Sequence, residues 1–570
     1  MTWPGRRLMA AVTGGVVLLL GGGLVWVAFQ SGFESELVAS LFGDMPTSQE
    51  LSGTDTNLDT VVVQINLGAK DHAISPYIYG VAGADPDVLL QLGATLNRWG
   101  GNPSSRYNWL NGHAWNAGRD WEFRNVNYGS SNDPQADLFV REATTNHVAP
   151  LLTVPTIGWV ARDDQNNNRS TGVPSEGGAP VAPGSSAIAG YDPTANRART
   201  SVMSLPRNSG QTDVGAHAVY QDQWIQHLVT TFGADAIRFL TMDNEPDLWS
   251  STHTDVHPVR VGYDDMLSMF EDYATAVKSV APTALILGPD VSGWTGYFYS
   301  DLDRGTDNFG THADRRAHGD QAFLPWWLAQ VAKQDRQRGS RSLDLLDVHY
   351  YPQESRVTST ANDPMTQYLR IQSVRSLYDP TFSDPSWIAE PVRLIPRLKD
   401  WIAANYRGTG LAITEYNWGG ENDASGAVAL ADSLGVFGRE GVEVAAYWRY
   451  PKPSSPAGAA FRMYRNFDGK GGHFGDRSLV TKSSAQAVQA FAARDSATGV
   501  ISVMLINESF DKTAKVLLDT KAGGRTTAEV YRLHRGSAEI ESDQLTDWRQ
   551  PISLAPLSVT LVRLPAGSAS

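Results

Sequence analysis

The stretch IRFLTMDNEPDLW, residues 237–249, opens as a strand and closes on chemistry. A strand that only fills a core stops at a turn of Gly, Asn or Ser. This one stops at Asp243, Asn244, Glu245, a rigid Pro246 and, three residues on, Trp249. Seven other runs share the texture of IRFLTMDNE (237–245): ISPYIYGV (74–81), GATLNRWG (93–100), APLLTVPTIGW (149–159), ALILGPDV (284–291), LDLLDVHYY (343–351), GLAITEYNW (410–418) and VEVAAYWRY (442–450). They are near-continuous apolar runs, as strands buried on both faces are. Amphipathic helical patterns separate most of them, among them DLFVREATTNHV, YQDQWIQHLVTTFG, YDDMLSMFEDYATAVKSV and AVALADSLGVFGREG. The first unit has only DPDVLLQLG for its helix. Eight β-α repeats over residues 74–455 predict an α/β fold, a (β/α)8 TIM barrel with long loops.

Both flanks differ from the barrel. After Tyr450 come short β-rich segments with polar turns, such as VISVMLINES, KVLLD, TAEVYRLH and SVTLVRL. They predict an antiparallel β-sandwich. TVVVQINLG (60–68) has the same character and is expected to join it, so the second domain is residues 59–73 plus 456–570. Within the barrel, residues 160–212 have little periodicity and are rich in Asn, Gly, Pro and Ser. A loop that long inside a compact domain is functional or disordered, and it follows the third strand at the catalytic end. Its NRS triplet (168–170) fits a glycosylation sequon, relevant only in a eukaryotic host.

The N-terminus reads as an export segment, residues 1–30, followed by a polar linker, 31–58. Arg6 and Arg7 precede an apolar run of 22 residues, Leu8 to Phe29. At helical rise it would cover roughly 33 Å, enough to cross a bilayer. Glu34 and Glu36 follow, so the positive-inside rule sends the remainder out of the cytoplasm. Cleaved signal peptide and uncleaved membrane anchor through residues 8–29 both fit. The body is expected to be secreted or otherwise extracytoplasmic, and monomeric.

The formal charge of −14 repels nucleic acid and anionic lipid. The absence of cysteine excludes disulfides, thiolate metal sites and a cysteine nucleophile. The 17 tryptophans exceed what core packing needs.

In a barrel of this kind the C-terminal strand ends carry the active site. Those ends are Asn97-Arg98-Trp99, Asn244-Glu245, His349-Tyr350-Tyr351, Thr414-Glu415-Tyr416-Asn417-Trp418 and Tyr447-Trp448-Arg449. Glu245 on strand four and Glu415 on strand seven face each other across the mouth. Two carboxyl groups so placed are what glycosidic cleavage needs: one protonated to serve the departing oxygen, one ionised to attack the anomeric carbon or activate water. Their repulsion separates the two pKa values, and Arg98 is a natural partner for the Glu415 anion. Asn244 can hydrogen-bond a sugar hydroxyl. Trp99, Trp159, Trp249, Trp294, Trp418 and Trp448 fall at or just past strand ends, where indole faces suit the C–H faces of pyranose rings. The bland alternatives are ion pairs for the glutamates and plugs of the barrel top for the tryptophans. His253 and His257 could be an i, i+4 metal pair; Pro258 and the lack of a third ligand favour a polar loop.

N-E-P after strand four and Glu after strand seven resemble clan A of the glycoside hydrolases. The strings NEPDLWSSTHTDVHP, RWGGNPSSRYNW, DVHYYP, ITEYNWGG and MYRNFDGKGGHFGD resemble glycoside hydrolase family 44, over roughly residues 60–565. The resemblance implies a retaining endo-acting enzyme on β-1,4-glucans, including xyloglucan, soluble cellulose derivatives and mixed-linkage glucan. It implies Glu245 as acid/base and Glu415 as nucleophile. It sets Arg98 and Tyr351 on the nucleophile, Asn244 on the sugar 2-hydroxyl, His349 near the acid/base and Trp448 at the cleavage point. Trp99, Trp249, Trp294 and Trp418 are the further substrate-contact candidates. No cofactor is required for the chemistry. Family members can bind a structural calcium, whose ligands the sequence does not place; NFDGKGGHFGD (466–476) reads better as a turn. A β-mannanase or xylanase of the same clan, and a non-catalytic glycan-binding barrel, are the alternatives.

Overall fold

The computed structural model describes residues 58–119, 123–129, 133–165, 200–208, 218–305, 307–354, 356–520 and 526–566, together with the backbone of two strands, Gly15–Leu20 and Gly23–Ala28. The latter two pair antiparallel. In place of the helical rise expected over residues 8–29, Gly15–Leu20 and Gly23–Ala28 lie in strands, which the β-branched Val16, Val17, Val25 and Val27 favour. Among the described residues no helix is long and apolar enough to cross a membrane. The linker expected over 31–58 lies outside the described residues, apart from Leu58.

All eight expected strands form, and they close into one parallel barrel: β1 (Gly80–Ala82), β2 (Leu96–Trp99), β3 (Ala149–Val154), β4 (Phe239–Met242), β5 (Leu285–Val291), β6 (Leu345–Tyr350), β7 (Gly410–Tyr416) and β8 (Val444–Tyr447). The helices that follow them in turn are α1 (Pro86–Leu92), α2 (Gln135–Thr145), α3 (Gln221–Phe232), α4 (Tyr263–Val280), α5 (Phe323–Arg338), α6 (Leu394–Asn405), α7 (Ala424–Glu440) and α8 (Pro456–Arg465). The first strand is much shorter than ISPYIYGV suggests. Pro76 sets a 3-10 turn, Pro76–Ile78, capped by the Ser75 hydroxyl, which accepts from the Tyr77 amide.

The barrel interior is layered by the two-residue period of its strands. Its lower layer is Leu96, Leu151, Phe239, Leu287, Leu345, Ala412, Val444 and Ala446. Two residues further along four of these strands stand Arg98, Thr153, Thr241 and Asp347, and two beyond Ala412 stands Thr414, all fully buried. Strand β5 reaches the same level with Asp290, three residues past Leu287. A register shift between Pro289 and Val291 supplies the extra residue. Strand β7 shifts after Ile413, so the consecutive residues Thr414 and Glu415 both face inward. Bulges of this kind re-aim side chains at barrel rims.

The long segment after β3 is not wholly irregular. Trp159–Ala161 pairs antiparallel with Ser201–Leu205, which pairs in parallel with Val219–Tyr220. Residues 166–199 and 209–217, with the NRS triplet, lie outside the described residues.

The second sheet runs in the order Ile540–Leu545, Ala528–Leu533, Ser558–Leu564, Ile501–Asn507, Val488–Arg494, Arg477–Ser483, Val61–Asn66, Ala514–Asp519 and Ile552–Leu554. Val61–Asn66 thus sits between C-terminal strands, antiparallel to Arg477–Ser483 and parallel to Ala514–Asp519. The parallel pair departs from the antiparallel rule because no hairpin joins these two strands; the whole barrel lies between them in sequence. Val63, Val488, Val503, Leu505, Val516, Val530, Trp548 and Val562 build the core of this region. Helix α7, buried from Ala424 to Gly438, packs between barrel and sheet, and a methyl on Gly435 would overlap the Phe491 ring.

Candidate active site

Strand β4 delivers Glu245 through a strained turn. Asp243 and Glu245 have positive φ, 67° and 46°. A non-glycine residue held there costs about 1–3 kcal/mol and persists where the surroundings over-determine it. Here they do. The Asp243 carboxylate accepts from the backbone amides of Thr156 (2.5 Å), Ile157 (2.9 Å) and Asn244 (2.8 Å). Burial nevertheless pushes the Asp243 carboxyl up to about 6. The Glu245 amide donates to the Asp290 carbonyl at 3.0 Å. Asp247 holds Ser292 through both its amide (3.0 Å) and hydroxyl (2.6 Å), tying the β4 and β5 ends together.

The two glutamates differ in their partners. Arg98 Nη1 donates to Glu415 Oε1 at 2.6 Å, and the Tyr351 hydroxyl donates to Glu415 Oε2 at 2.8 Å. Arg98 is fully buried, and although burial disfavours its charge, the Glu415 and Asp290 anions hold it cationic. Burial and the Glu415 charge push the Tyr351 phenol well up, so it stays a donor. Glu245 has no such cation from Arg98. Its Oε1 lies 2.9 Å from His349 Nδ1. Burial pushes its carboxyl up to about 7; the His349 hydrogen bond opposes that and the Glu415 charge adds to it. One carboxyl group is therefore bound by a guanidinium and a phenol, and the other is poised to carry a proton. An oxygen of each, with a His349 nitrogen, lies within 4.8 Å of the others.

Beneath them lies a layer the strand-end reading missed. His349 Nε2 meets Asp290 Oδ1 at 2.5 Å, and Asp290 Oδ2 meets Arg98 Nη2 at 3.3 Å. Burial opposes charge on His349, yet the Asp290 and Glu415 anions push it well above the usual imidazole range. Burial likewise opposes the Asp290 anion, but His349 and Arg98 pull its carboxyl down. Asp347 is different. Burial, and then the Asp290 charge, push it up to about 8, and the Thr414 hydroxyl lies 2.9 Å from its Oδ1. The signal for both was present: ALILGPDV carries one aspartate and LDLLDVHYY two, Asp344 and Asp347, within runs that are otherwise mostly apolar.

A family model for glycoside hydrolase family 44 matches residues 114–354. Endoglucanase A of Paenibacillus lautus is 31% identical over 496 residues, 82% of this chain and 66% of that protein's own length. The crystal structure of CelM2, a bifunctional glucanase-xylanase from a metagenome library, is 35% identical, with a TM-score of 0.80 over 89% of this chain and 100% of the other. A Paenibacillus polymyxa xyloglucanase of family 44, solved with xyloglucan, is 27% identical, with a TM-score of 0.77 over 89% and 100% of the two chains. The chain belongs to glycoside hydrolase family 44.

In this family 44 enzyme the remaining site candidates divide. Asn244 Oδ1 accepts from Arg98 Nη2 (2.9 Å) and from the Gly101 amide (3.1 Å), so its amide nitrogen is the end turned away from Arg98. That nitrogen now rests 3.3 Å from Asn102 Oδ1. Trp448 is half-buried, 5.9 Å from the Arg98 guanidinium carbon. Gly101, at φ 89°, makes room for it: a Cβ there would stand 2.6 Å from the indole. Trp99 is half-buried in an aromatic nest of Trp115, Tyr107 and Phe139. Trp294 is half-buried against Phe298, with Arg397 over its ring. Trp159 is half-buried.

Two expected sugar platforms are corrected. Trp249 is fully buried, its indole N–H donating to the Asn244 carbonyl at 3.1 Å. Trp418 is 2% exposed, packed on Tyr350 and Tyr416. Neither offers a face to a ligand, because the strand-end turns fold these indoles back over the barrel. His253 is fully buried and His257 Nδ1 meets the Val259 carbonyl at 2.7 Å. Among the described residues, the histidine–carboxylate group spaced to hold a metal is Glu245, His349 and Glu415. It does not fit calcium, which takes six to eight oxygens. These oxygens are engaged by His349, Arg98 and Tyr351. In the Gly-rich 466–476 loop, Asp468 Oδ1 accepts from the Lys470 and Gly472 amides, each at 2.8 Å, as a turn does.

Proposed function

We propose that this enzyme cleaves β-1,4-glucans internally with retention, by double displacement between Glu245 and Glu415. The observation that carries the reading is the asymmetric wiring of two close carboxyl groups. Glu415 is bound by Arg98 and Tyr351, and Glu245 is buried with its carboxyl pushed up to about 7. Glu415 attacks the anomeric carbon as Glu245 protonates the departing oxygen. Glu245, now a base, then takes a proton from the water that releases the sugar. The contact within 4.8 Å suits the close pairing of retaining enzymes better than the wider gap that holds a water in inverting ones. We assign the Asn244 amide to the 2-hydroxyl, and the half-buried Trp448 and Trp99 to pyranose faces.

The substrate rests on relatives whose names speak of endoglucanase and xyloglucanase activity. Xylan is the second reading, favoured by the bifunctional glucanase-xylanase among them. We further propose an extracytoplasmic monomer delivered, or held at the membrane, by the leader. The carboxylate chemistry needs no cofactor, and a structural calcium, if bound, lies away from the glutamate pair.

Reducing-end release from xyloglucan, carboxymethylcellulose, mannan and xylan tests this, with Glu415→Gln as the control. Release from glucans that the substitution abolishes is the expected result. Activity on xylan or mannan alone would discard the substrate, and equal release by the variant would discard the mechanism.

A further inference from the structure

The Asp290 carboxylate is a buried anion that the two-glutamate mechanism does not use. It sits on a strand bulge, at φ 57°, where the regular alternation of β5 would have placed Pro289 at that level. From there it reaches two groups that each serve a different glutamate. Its Oδ1 lies 2.5 Å from His349 Nε2, and its Oδ2 lies 3.3 Å from Arg98 Nη2. His349 in turn bonds Glu245 through Nδ1, and Arg98 bonds Glu415 through Nη1. The backbone is fixed as well: the Asp290 carbonyl accepts from the Glu245 amide at 3.0 Å.

Resting on the acid/base reading of Glu245, we propose that Asp290 is a positioning residue for proton cycling: it holds His349 as a doubly donating cation whose Nδ1–H supports the Glu245 carboxylate left after proton delivery. Arg98 Nη2 also lies 3.3 Å from His349 Nε2, so the Asp290 carboxylate is the anion shared by these two neighbouring groups. An imidazole with an oxygen anion at Nε2 and a carboxyl oxygen at Nδ1 donates on both sides when it is charged. When Glu415 becomes an ester, its charge disappears from the site, and His349 stays beside the newly ionised Glu245. The same Asp290 braces Arg98 while that anion is gone. The other charged or titratable groups facing His349 are Arg98, Glu415 and Asp347. His349 Nδ1 also lies 3.5 Å from Glu415 Oε2, and Tyr297 fixes the His349 carbonyl from the β5 side.

Asp290→Asn tests this with little disturbance, since asparagine keeps the size and tolerates the left-handed backbone. Without its anion His349 loses its proton, and Glu245 loses the cation beside it. The alkaline limb of kcat/KM should then move up by about one pH unit. kcat/KM on a glucan should fall roughly 10- to 100-fold. On a dinitrophenyl cellobioside, whose leaving group needs no proton, it should fall less than about 3-fold. Asp347→Asn, a change at the neighbouring buried carboxyl, should leave the limb in place. Equal losses on both substrates with an unmoved limb would overturn the proposal and leave Asp290 a packing residue.

A measurement on the unmutated enzyme decides the matter if the variant does not fold. In nitrogen-15 histidine spectra, assigned with His349→Gln, both His349 ring nitrogens should stay protonated from roughly pH 6 to 8. A neutral ring across that range would overturn the proposal. The spectra read the Asp290–His349 pair even if no glycan is cleaved. A wild type inactive on every polymer and aryl glycoside would count against the two-glutamate mechanism instead.

Discussion

The lower and upper layers of the barrel interior stand two residues apart on most of the same strands, yet they obey opposite rules. The lower layer is Leu, Phe, Val and Ala, and its contribution is burial, about 1.5–3 kcal/mol for each large side chain. The upper layer is Arg98, Thr153, Thr241, Asp290, Asp347 and Thr414, as fully buried as the layer below. There burial costs free energy unless every charge is paired, so the layer is tied together: Arg98 to Glu415 and Asp290, Asp290 to His349, and Thr241 and Thr414 to both aspartates. The lower layer secures the fold with interchangeable apolar groups. The upper layer sacrifices stability to hold a proton and two charges in set places.

That contrast can be broken from the top down. Glu415→Gln should cut turnover by about 10⁴-fold or more while thermal unfolding stays near the wild type, because it removes the nucleophile and leaves the apolar layer intact. Rates and melting curves on one preparation check both halves. Glu245→Gln should cost about 10²–10⁴-fold on polysaccharide and much less on an activated aryl glycoside. It should also erase the alkaline limb of the wild-type pH profile. That limb is expected near pH 7, since burial pushes the Glu245 carboxyl up to about 7 and activity falls as the proton leaves. Identical losses on the two substrates would contradict the role of acid.

Phe239→Ala, in the lower layer, should show the reverse pattern. Denaturant unfolding should reveal a loss of about 3–5 kcal/mol, with kcat changed far less than in either glutamate variant. The smallest effect expected is that of Asp347→Asn. The Asp347 carboxyl is pushed up to about 8, so the folded state keeps a proton that the unfolded chain releases above its ordinary value of 3.8. Its stability contribution is thus full at low pH and lost as pH rises toward 8. The asparagine variant, neutral throughout, should gain on the wild type over that interval, by on the order of 2 kcal/mol at neutral pH. A difference between variant and wild type that is the same at acid and neutral pH would show Asp347 to be ionised in the fold.

The strand-end reading named Glu245, Glu415, Arg98, Asn244, His349, Tyr351 and Trp448, and the structure brings them together because the C-terminal ends of parallel strands converge by topology alone. Each of these residues is within reach of the pair or of its partners. It failed for Trp249 and Trp418, since a strand end specifies where the backbone arrives and not which way an indole turns afterwards. It passed over Asp290 and Asp347 because they stand inside runs read only for their apolar character.

What the sequence determined by itself was the alternation of eight buried strands with amphipathic helices, and hence the barrel and the rim on which the glutamates meet. Apolar periodicity is local, and it survives without knowledge of neighbours. The tertiary structure decided which polar side chains face one another. A one-residue bulge on β5 turns Asp290 inward and another on β7 sets Thr414 and Glu415 side by side. The balance of burial against ion pairing then makes Glu245, Asp290 and Asp347, three carboxyl groups of one interior, respectively poised, anionic and protonated. That balance depends on distances between strands far apart in the chain, which no single stretch of sequence contains.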